Sequence, residues 1–224
     1  MKKLFITGVV ISCVLIVLSF NHQKPDPYFQ FHENLSEYNF FKGKLKQLQP
    51  VDDILPYDLN TPLFTDYAEK ARFIKLPAGK KINYNATSTF DMPLGTVLIK
   101  NFYYYNDVRK PELGRRIIET RLLANMQDGW HTYQYIWNEE QTEAFLDLNG
   151  STKNITFKDD NNVTRTVDYR IPNEAQCIVC HKTKSYENGN YVQKNIPIGI
   201  KPQNLNSVYN YGSETKNQLT KWID

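Results

Sequence analysis

Cys177, Cys180 and His181 stand in the order C-x-x-C-H within "NEAQCIVCHK", residues 173–182. Two thiols three positions apart, followed at once by an imidazole, suit four chemistries. The first is covalent haem attachment. The two sulfurs, carried on a helix-like turn, reach the two vinyl groups on one edge of a porphyrin and form thioethers, and His181 supplies the proximal imidazole to the iron. The second is a thioredoxin-like dithiol, which needs the pair after a strand and at the head of a long helix. The third is zinc, which needs a fourth ligand that no second C-x-x-C provides. The fourth is a local disulfide between Cys177 and Cys180, which would close a small, strained loop. The haem reading leads, because both the thiol spacing and the adjacent histidine follow from its chemistry.

A haem iron also has a sixth position. The three methionines are Met1, Met92 and Met126, and no Met or His follows His181. The candidate sixth ligands are therefore Met126, His131 and His32. Each has an ordinary reading beside it: Met126 as packing next to "QDG", His131 as a surface strand residue, and His32 as part of an N-terminal linker. A five-coordinate iron, or a ligand from a missing segment or a partner, stands as an equal expectation.

Thioether attachment of haem takes place outside the cytoplasm, so the first residues bear on the same question. Lys2 and Lys3 precede an uncharged apolar run from Leu4 to Phe20. This reads as a secretory signal, with Val17 and Ser19 at the −3 and −1 places of a cleavage site. A retained membrane anchor is the alternative, and Cys13 as a lipoprotein cysteine is a third. Without that segment only Cys177 and Cys180 remain, and cysteines so close together make no long-range staple.

The rest of the chain must position the motif. Its 224 residues suit one domain with a small appendage. A net charge of +3 without a basic block excludes a nucleic-acid-binding reading. Aromatic residues make up 13%, with 15 Tyr and 12 Phe, which favours strands over long helices. Residues 21–49 read as a linker with a short helix near "LSEYNFFKG", capped by Ser36. A helical turn is expected near 64–71. Strands follow at "ARFIKLP", 96–105, 115–125, 129–138, "NITFKD" and "RTVDYRI". Tyr133, Tyr135 and Trp137 share one strand face, as do Val167, Tyr169 and Ile171. Strands at short spacing without intervening helices imply a mainly β fold, an antiparallel sandwich-like domain over 50–171.

The alternation stops at Pro172. Residues 172–224 then read as a small α/coil haem-binding segment that ends in a helix at "SETKNQLTKWID", capped by Ser213. Ile198, Leu205, Tyr209, Tyr211 and Trp222 are candidates for packing on the haem. Glu139, Glu140 and Glu143 form a carboxylate cluster that reads as a solvated turn rather than an acid–base pair. Asn154 and Asn162 lie in glycosylation-type triplets that follow from Asn abundance. No phosphate loop, nucleophile elbow or HExxH motif is present.

Five stretches in order, "LPYDLNTPLFTDYAEKARFIKLPAG", "FDMPLGTVLIKNF", "IIETRLLANMQDGWHTYQYIWNEEQTEAFLDLNG", "RIPNEAQCIVCH" and "IPIGIKPQNLN…NQLTKWI", resemble a bacterial family of diheme c-type cytochromes long catalogued as conserved hypothetical proteins. The resemblance spans roughly residues 35–223. It implies a haem c on Cys177 and Cys180, ligation by His181, a cell-envelope location and electron transfer. Family members continue into a second segment with another C-x-x-C-H. Here the expectation is one haem per chain, with the second haem half missing or on a separate polypeptide.

The expectation is thus an exported c-type cytochrome in the periplasm or cell envelope, exchanging electrons with an unknown redox partner protein. Two rivals belong to other classes. One is a haem oxidoreductase with an open iron acting on a small molecule such as peroxide. The other is a β-sandwich binding module for a glycan or a partner protein, which would expose Tyr and Trp on one sheet face.

Overall fold

The computed structural model describes residues 26–187 and 189–223. The expected signal or anchor at 1–20, with Cys13, Val17 and Ser19, lies outside the described residues. The strands are β1 (Phe41–Lys42), β2 (Gln49–Pro50), β3 (Ile54–Tyr57), β4 (Glu69–Lys75), β5 (Val97–Tyr105), β6 (Arg115–Met126) and β7 (Gly129–Trp137). They continue as β8 (Ala144–Leu146), β9 (Ser151–Lys158), β10 (Thr164–Ile171), β11 (Lys182–Glu187), β12 (Asn190–Asn195), β13 (Val208–Asn210) and β14 (Thr215–Asn217). The helices are α1 (Glu174–His181), α2 (Pro202–Leu205) and α3 (Gln218–Ile223).

The fold is mainly β and every strand ladder is antiparallel. β3 to β8 form one six-stranded meander in sequence order. The expected strands from β4 to β7 and at β9 and β10 are present, and β3 and β8 join the edges. β8 begins directly after the carboxylate cluster. There Glu143 accepts from the Ser36 amide at 3.1 Å, while Glu139 pairs with Lys153 at 3.5 Å and with Arg116. These acids tie segments together.

Period-2 alternation gives the meander two faces. On one, Ile99 of β5, Leu122 of β6, and Tyr135 and Trp137 of β7 pack against Phe29, Leu35, Phe40 and Leu48. The described part of the expected linker is therefore a structural layer. Its apolar side chains leave water, and a ring of hydrogen bonds ties it down. His32 N–H donates to the Tyr38 hydroxyl at 3.1 Å, Tyr38 bonds Tyr135 at 2.8 Å, and Tyr135 donates to the His32 carbonyl at 2.7 Å. The short helix is a 3₁₀ turn over Leu35–Tyr38 that begins after Asn34 rather than at Ser36, because the Glu37 carboxylate accepts the Asn34 amide at 3.0 Å.

No helical turn forms at 64–71. Asp66 and Tyr67 have φ of 45° and 66°, which a right-handed helix excludes, and β4 starts at Glu69.

The other sheet face carries two caps. At one end the β9–β10 hairpin sets Ile155, Phe157, Tyr169 and Ile171 on Phe102, Tyr104 and Ile118. At the other, Phe90, Met92, Ile200 and Leu205 meet Tyr57, Ile74, Leu98 and Leu123, with Leu219 and Trp222 alongside. Residues 172–223 contain two hairpins, β11–β12 and β13–β14, where coil was expected. The terminal helix is shorter than expected. Thr215–Asn217 pairs as β14, and the Asn217 side chain, not Ser213, accepts the Leu219 amide at 3.0 Å.

Leu35 is fully buried between the N-terminal layer and the sheet. Leu35→Ala is expected to lower unfolding stability by about 2–5 kcal/mol. Urea unfolding followed by tryptophan fluorescence would measure it, and a loss under about 0.5 kcal/mol, the range of an ordinary surface change, would remove the structural role of this layer.

Candidate functional site

The C-x-x-C-H residues occupy α1, and the local sequence explains why a helix begins there. Asn173 is the N-cap: its side-chain oxygen accepts the Gln176 amide at 3.0 Å, and the Gln176 side-chain oxygen accepts the Asn173 amide at 3.0 Å. This reciprocal pair satisfies two otherwise orphaned donors. Gln134 of β7 fixes the approach by donating to the Pro172 carbonyl at 2.7 Å. Gly150 sits against the same turn with φ of 77°, and a Cβ there would lie 2.8 Å from the Asn173 nitrogen and from the Ile171 carbonyl oxygen. Only glycine tolerates both that backbone conformation and that approach.

Positions i, i+3 and i+4 share a helix face. Cys177, Cys180 and His181 have that spacing, and all three line a cavity of about 610 Å³ between α1, the sheet and the segment around Pro197–Ile200. Cys177 is buried and Cys180 is exposed at the rim. The His181 ring is anchored: Nδ1 lies 2.8 Å from the Ile196 carbonyl oxygen, while the Ile196 amide donates to the His181 carbonyl at 2.8 Å. A carbonyl oxygen only accepts, so Nδ1 carries the proton and Nε2 holds the lone pair in the neutral ring. Burial pushes the His181 pKa below its usual range. The Ile196 hydrogen bond opposes this, and the charges of Lys100 and Arg121 add to the lowering.

The cavity floor is the sheet itself. Tyr57, Arg72, Lys100, Arg121 and Gln134 are successive cross-strand partners from β3 to β7, and all five line the cavity. Leu98, Leu123, Pro197, Ile198 and Ile200 supply apolar walls. Two of the three cations are paired. Arg72 meets Asp58, and Arg121 meets Glu119, with Nε to Oε2 at 2.8 Å. Glu119 also accepts from the Tyr169 hydroxyl. For Lys100, no carboxylate among the described residues lies within ion-pair distance. Its ammonium sits 4.6 Å from the centre of the Phe102 ring. Burial, then the neighbouring Arg72 and Arg121, push its pKa down to about 7. Two polar atoms at this floor are buried without a partner, Arg72 Nε and Gln134 Oε1.

The expected sixth ligands lie elsewhere. Met126 Sδ takes a hydrogen bond from the Tyr133 hydroxyl at 3.3 Å, His131 pairs with Asp128 at 2.7 Å, and His32 stacks edge-on to Tyr38. None of the three lines the cavity. Of the five packing candidates, Ile198 does line it. Leu205 is buried in the neighbouring core with Trp222 packed against it, and Tyr209 and Tyr211 pack on each other at 4.8 Å. Among the described residues no group of three or more His, Cys, Asp or Glu converges as a direct metal site, and no helix is long and apolar enough to cross a membrane. Arg72, Lys100, Arg121 and Gln134 were not anticipated. For Lys100 and Arg121 the sequence signal is a basic residue inside the apolar runs "TVLIKNF" and "IETRLLAN".

Comparison of the chain with protein-family models, curated proteins and solved structures finds no match.

Gly150→Ala is expected to cost about 1–3 kcal/mol, because the added methyl meets backbone atoms in a left-handed position. Thermal unfolding checks the cost, and an unchanged melting temperature would contradict it. A second expectation concerns pH. Lys100 has a lowered pKa in the folded chain, so the unfolded chain binds more protons between about pH 7 and the ordinary lysine range near 10.4. Folding stability therefore rises with pH through that window. The buried tyrosines, Tyr57 and Tyr135 among them, have raised pKa values and reverse the trend above about pH 10. Urea midpoints at pH 7 and 9.5 would show the rise in the wild type and a smaller rise in Lys100→Met; equal rises would assign it to other groups.

Proposed function

We propose that this chain is an exported c-type haem protein that transfers single electrons in the bacterial cell envelope. The observation that supports it is one arrangement: Cys177, Cys180 and His181 share a helix face over a haem-sized cavity, with the imidazole oriented by a carbonyl on its Nδ1 side. The donor set fits the group. Cys177 and Cys180 would hold it through thioethers, and His181 Nε2 would ligate the iron. The haem, when bound, supplies an iron that cycles between ferric and ferrous states. The chain's own residues do the rest. Ile196 fixes the ring and raises its donor strength, as outer hydrogen bonds do for metal-bound histidines. Leu98, Leu123, Ile198 and Ile200 exclude water and favour the less charged state of a buried iron centre.

In this reading the meander and the β9–β10 hairpin form a sandwich-like domain, and residues 172–224 form the haem-binding segment. The resemblance to diheme c-type cytochromes, the apolar start of the sequence, and a redox partner or second haem-bearing polypeptide belong to the same proposal. The zinc alternative finds no converging fourth ligand among the described residues. A glycan-binding module on the meander is not favoured, because its Tyr and Trp side chains pack into the cores instead of forming an exposed row. A small-molecule oxidoreductase is the second reading. It is favoured by one observation: His181 is the only histidine or methionine lining the cavity among the described residues. High-spin iron that changes its spectrum with peroxide would select it over a carrier.

Expression of the full chain with cytochrome c maturation proteins tests the proposal. The expected result is a haem-stained band that survives denaturation, a c-type pyridine haemochrome spectrum, and loss of the covalent band in Cys177→Ala. A colourless protein under full maturation would overturn it.

A further inference from the structure

The unpaired cation on the cavity floor has no role in the reading above. Arg72, Lys100 and Arg121 stand side by side across β4, β5 and β6. Like charges directly opposite one another on a sheet face destabilise it. Asp58 neutralises Arg72 and Glu119 neutralises Arg121. Lys100 alone remains without a carboxylate partner among the described residues, lining the cavity between two guanidinium groups. Beside it, Arg72 is only 4% exposed, yet its Nε has no partner. A buried donor without an acceptor is a cost that a bound group removes. The floor therefore fits a ligand carrying one carboxylate, with acceptor oxygens toward Lys100 and Arg72.

The placement of the thiols narrows the ligand. α1 packs over β7, whereas Lys100 lies on β5, two strands away. Two strand spacings are about 10 Å. The vinyl and propionate groups of a haem occupy opposite edges of the ring, and that separation is comparable to the width of a porphyrin. We infer that Lys100 and Arg72 form a carboxylate site for a propionate of the porphyrin whose vinyl edge meets Cys177 and Cys180. This rests on the haem reading and adds an orientation to it: vinyl edge under α1, carboxylate edge over β4 and β5. A bound carboxylate also raises the Lys100 pKa and holds the ammonium charged.

Mesohaem tests the site separately from thioether chemistry, because its ethyl groups cannot react with the cysteines. The full chain, expressed without maturation proteins, is titrated with mesohaem and with mesohaem dimethyl ester, which has no carboxylates. The expected result is at least tenfold tighter binding of the diacid. Lys100→Gln should abolish most of that preference and leave the ester affinity unchanged. Equal affinity for acid and ester in the wild type would overturn the inference. So would a Lys100→Gln variant that keeps the full preference for the diacid, since that places the carboxylate away from Lys100. A third result against it would be low-spin iron in the matured wild type turning high-spin in Lys100→Gln, which places the amine on the iron. The pyridine haemochrome of the matured wild type reads the haem proposal independently. A covalent haem without an acid preference sinks only the carboxylate site. An acid preference without covalent haem keeps the site and removes the attachment.

Discussion

Three cations side by side on the cavity floor set the terms for everything around them. At about 5 Å and an effective dielectric near 20, two like charges repel by about 3 kcal/mol. The fold answers this with Asp58 from the loop after β3 and Glu119 two residues from Arg121 on the same strand. Tyr169 from the β9–β10 hairpin hydrogen-bonds Glu119 in turn, so the hairpin cap and the cavity floor share one polar network. Groups this deeply placed are costly when half satisfied, which is why the unpaired Lys100 amine and the bare Arg72 Nε carry meaning.

The helix depends on that floor at one further point. Gln134 ends the cation row and donates to Pro172, one residue before the Asn173 cap. Sheet register therefore sets where α1 starts, and the start of α1 sets where Cys177, Cys180 and His181 face. The β11–β12 hairpin then returns the chain, so that Ile196 meets the histidine through two hydrogen bonds. The local spacing of the motif and the nonlocal register of the sheet act on the same three side chains.

The N-terminal layer works from the opposite face. Tyr135 and Trp137 bury themselves against Leu35 and Phe40, and the adjacent β7 residues Thr132 and Gln134 point the other way, into the cavity. Because strand side chains alternate, a one-residue slip of β7 would exchange these sets. The aromatic packing beneath the sheet thus holds the polar groups of the site in register. Four of the fifteen tyrosines, Tyr38, Tyr135, Tyr104 and Tyr169, pack in the cores with their hydroxyls hydrogen-bonded.

The sequence by itself determined the mainly β character, the long strands from β4 to β7, the faces of β7 and β10, and the i, i+3, i+4 spacing of Cys177, Cys180 and His181. Those features are local: period-2 alternation, turn residues, and a helical i, i+3, i+4 spacing are written in consecutive residues. The tertiary structure alone decided which distant residues meet. Residues 26–49 read as linker because proline and polar residues punctuate them, yet Phe29, Leu35, Phe40 and Leu48 gain a sheet face to cover. A helix at 64–71 gave way to β4, where Arg72 and Phe73 find cross-strand partners in Lys100 and Ile99. Met126, His131 and His32 are candidate ligands by residue type, but the first two sit on strands and the third in the N-terminal layer, all outside the cavity. Lys100 and Arg121 interrupt apolar strands far apart in the sequence, and only the pairing of β5 with β6 brings them beside one another on the cavity floor.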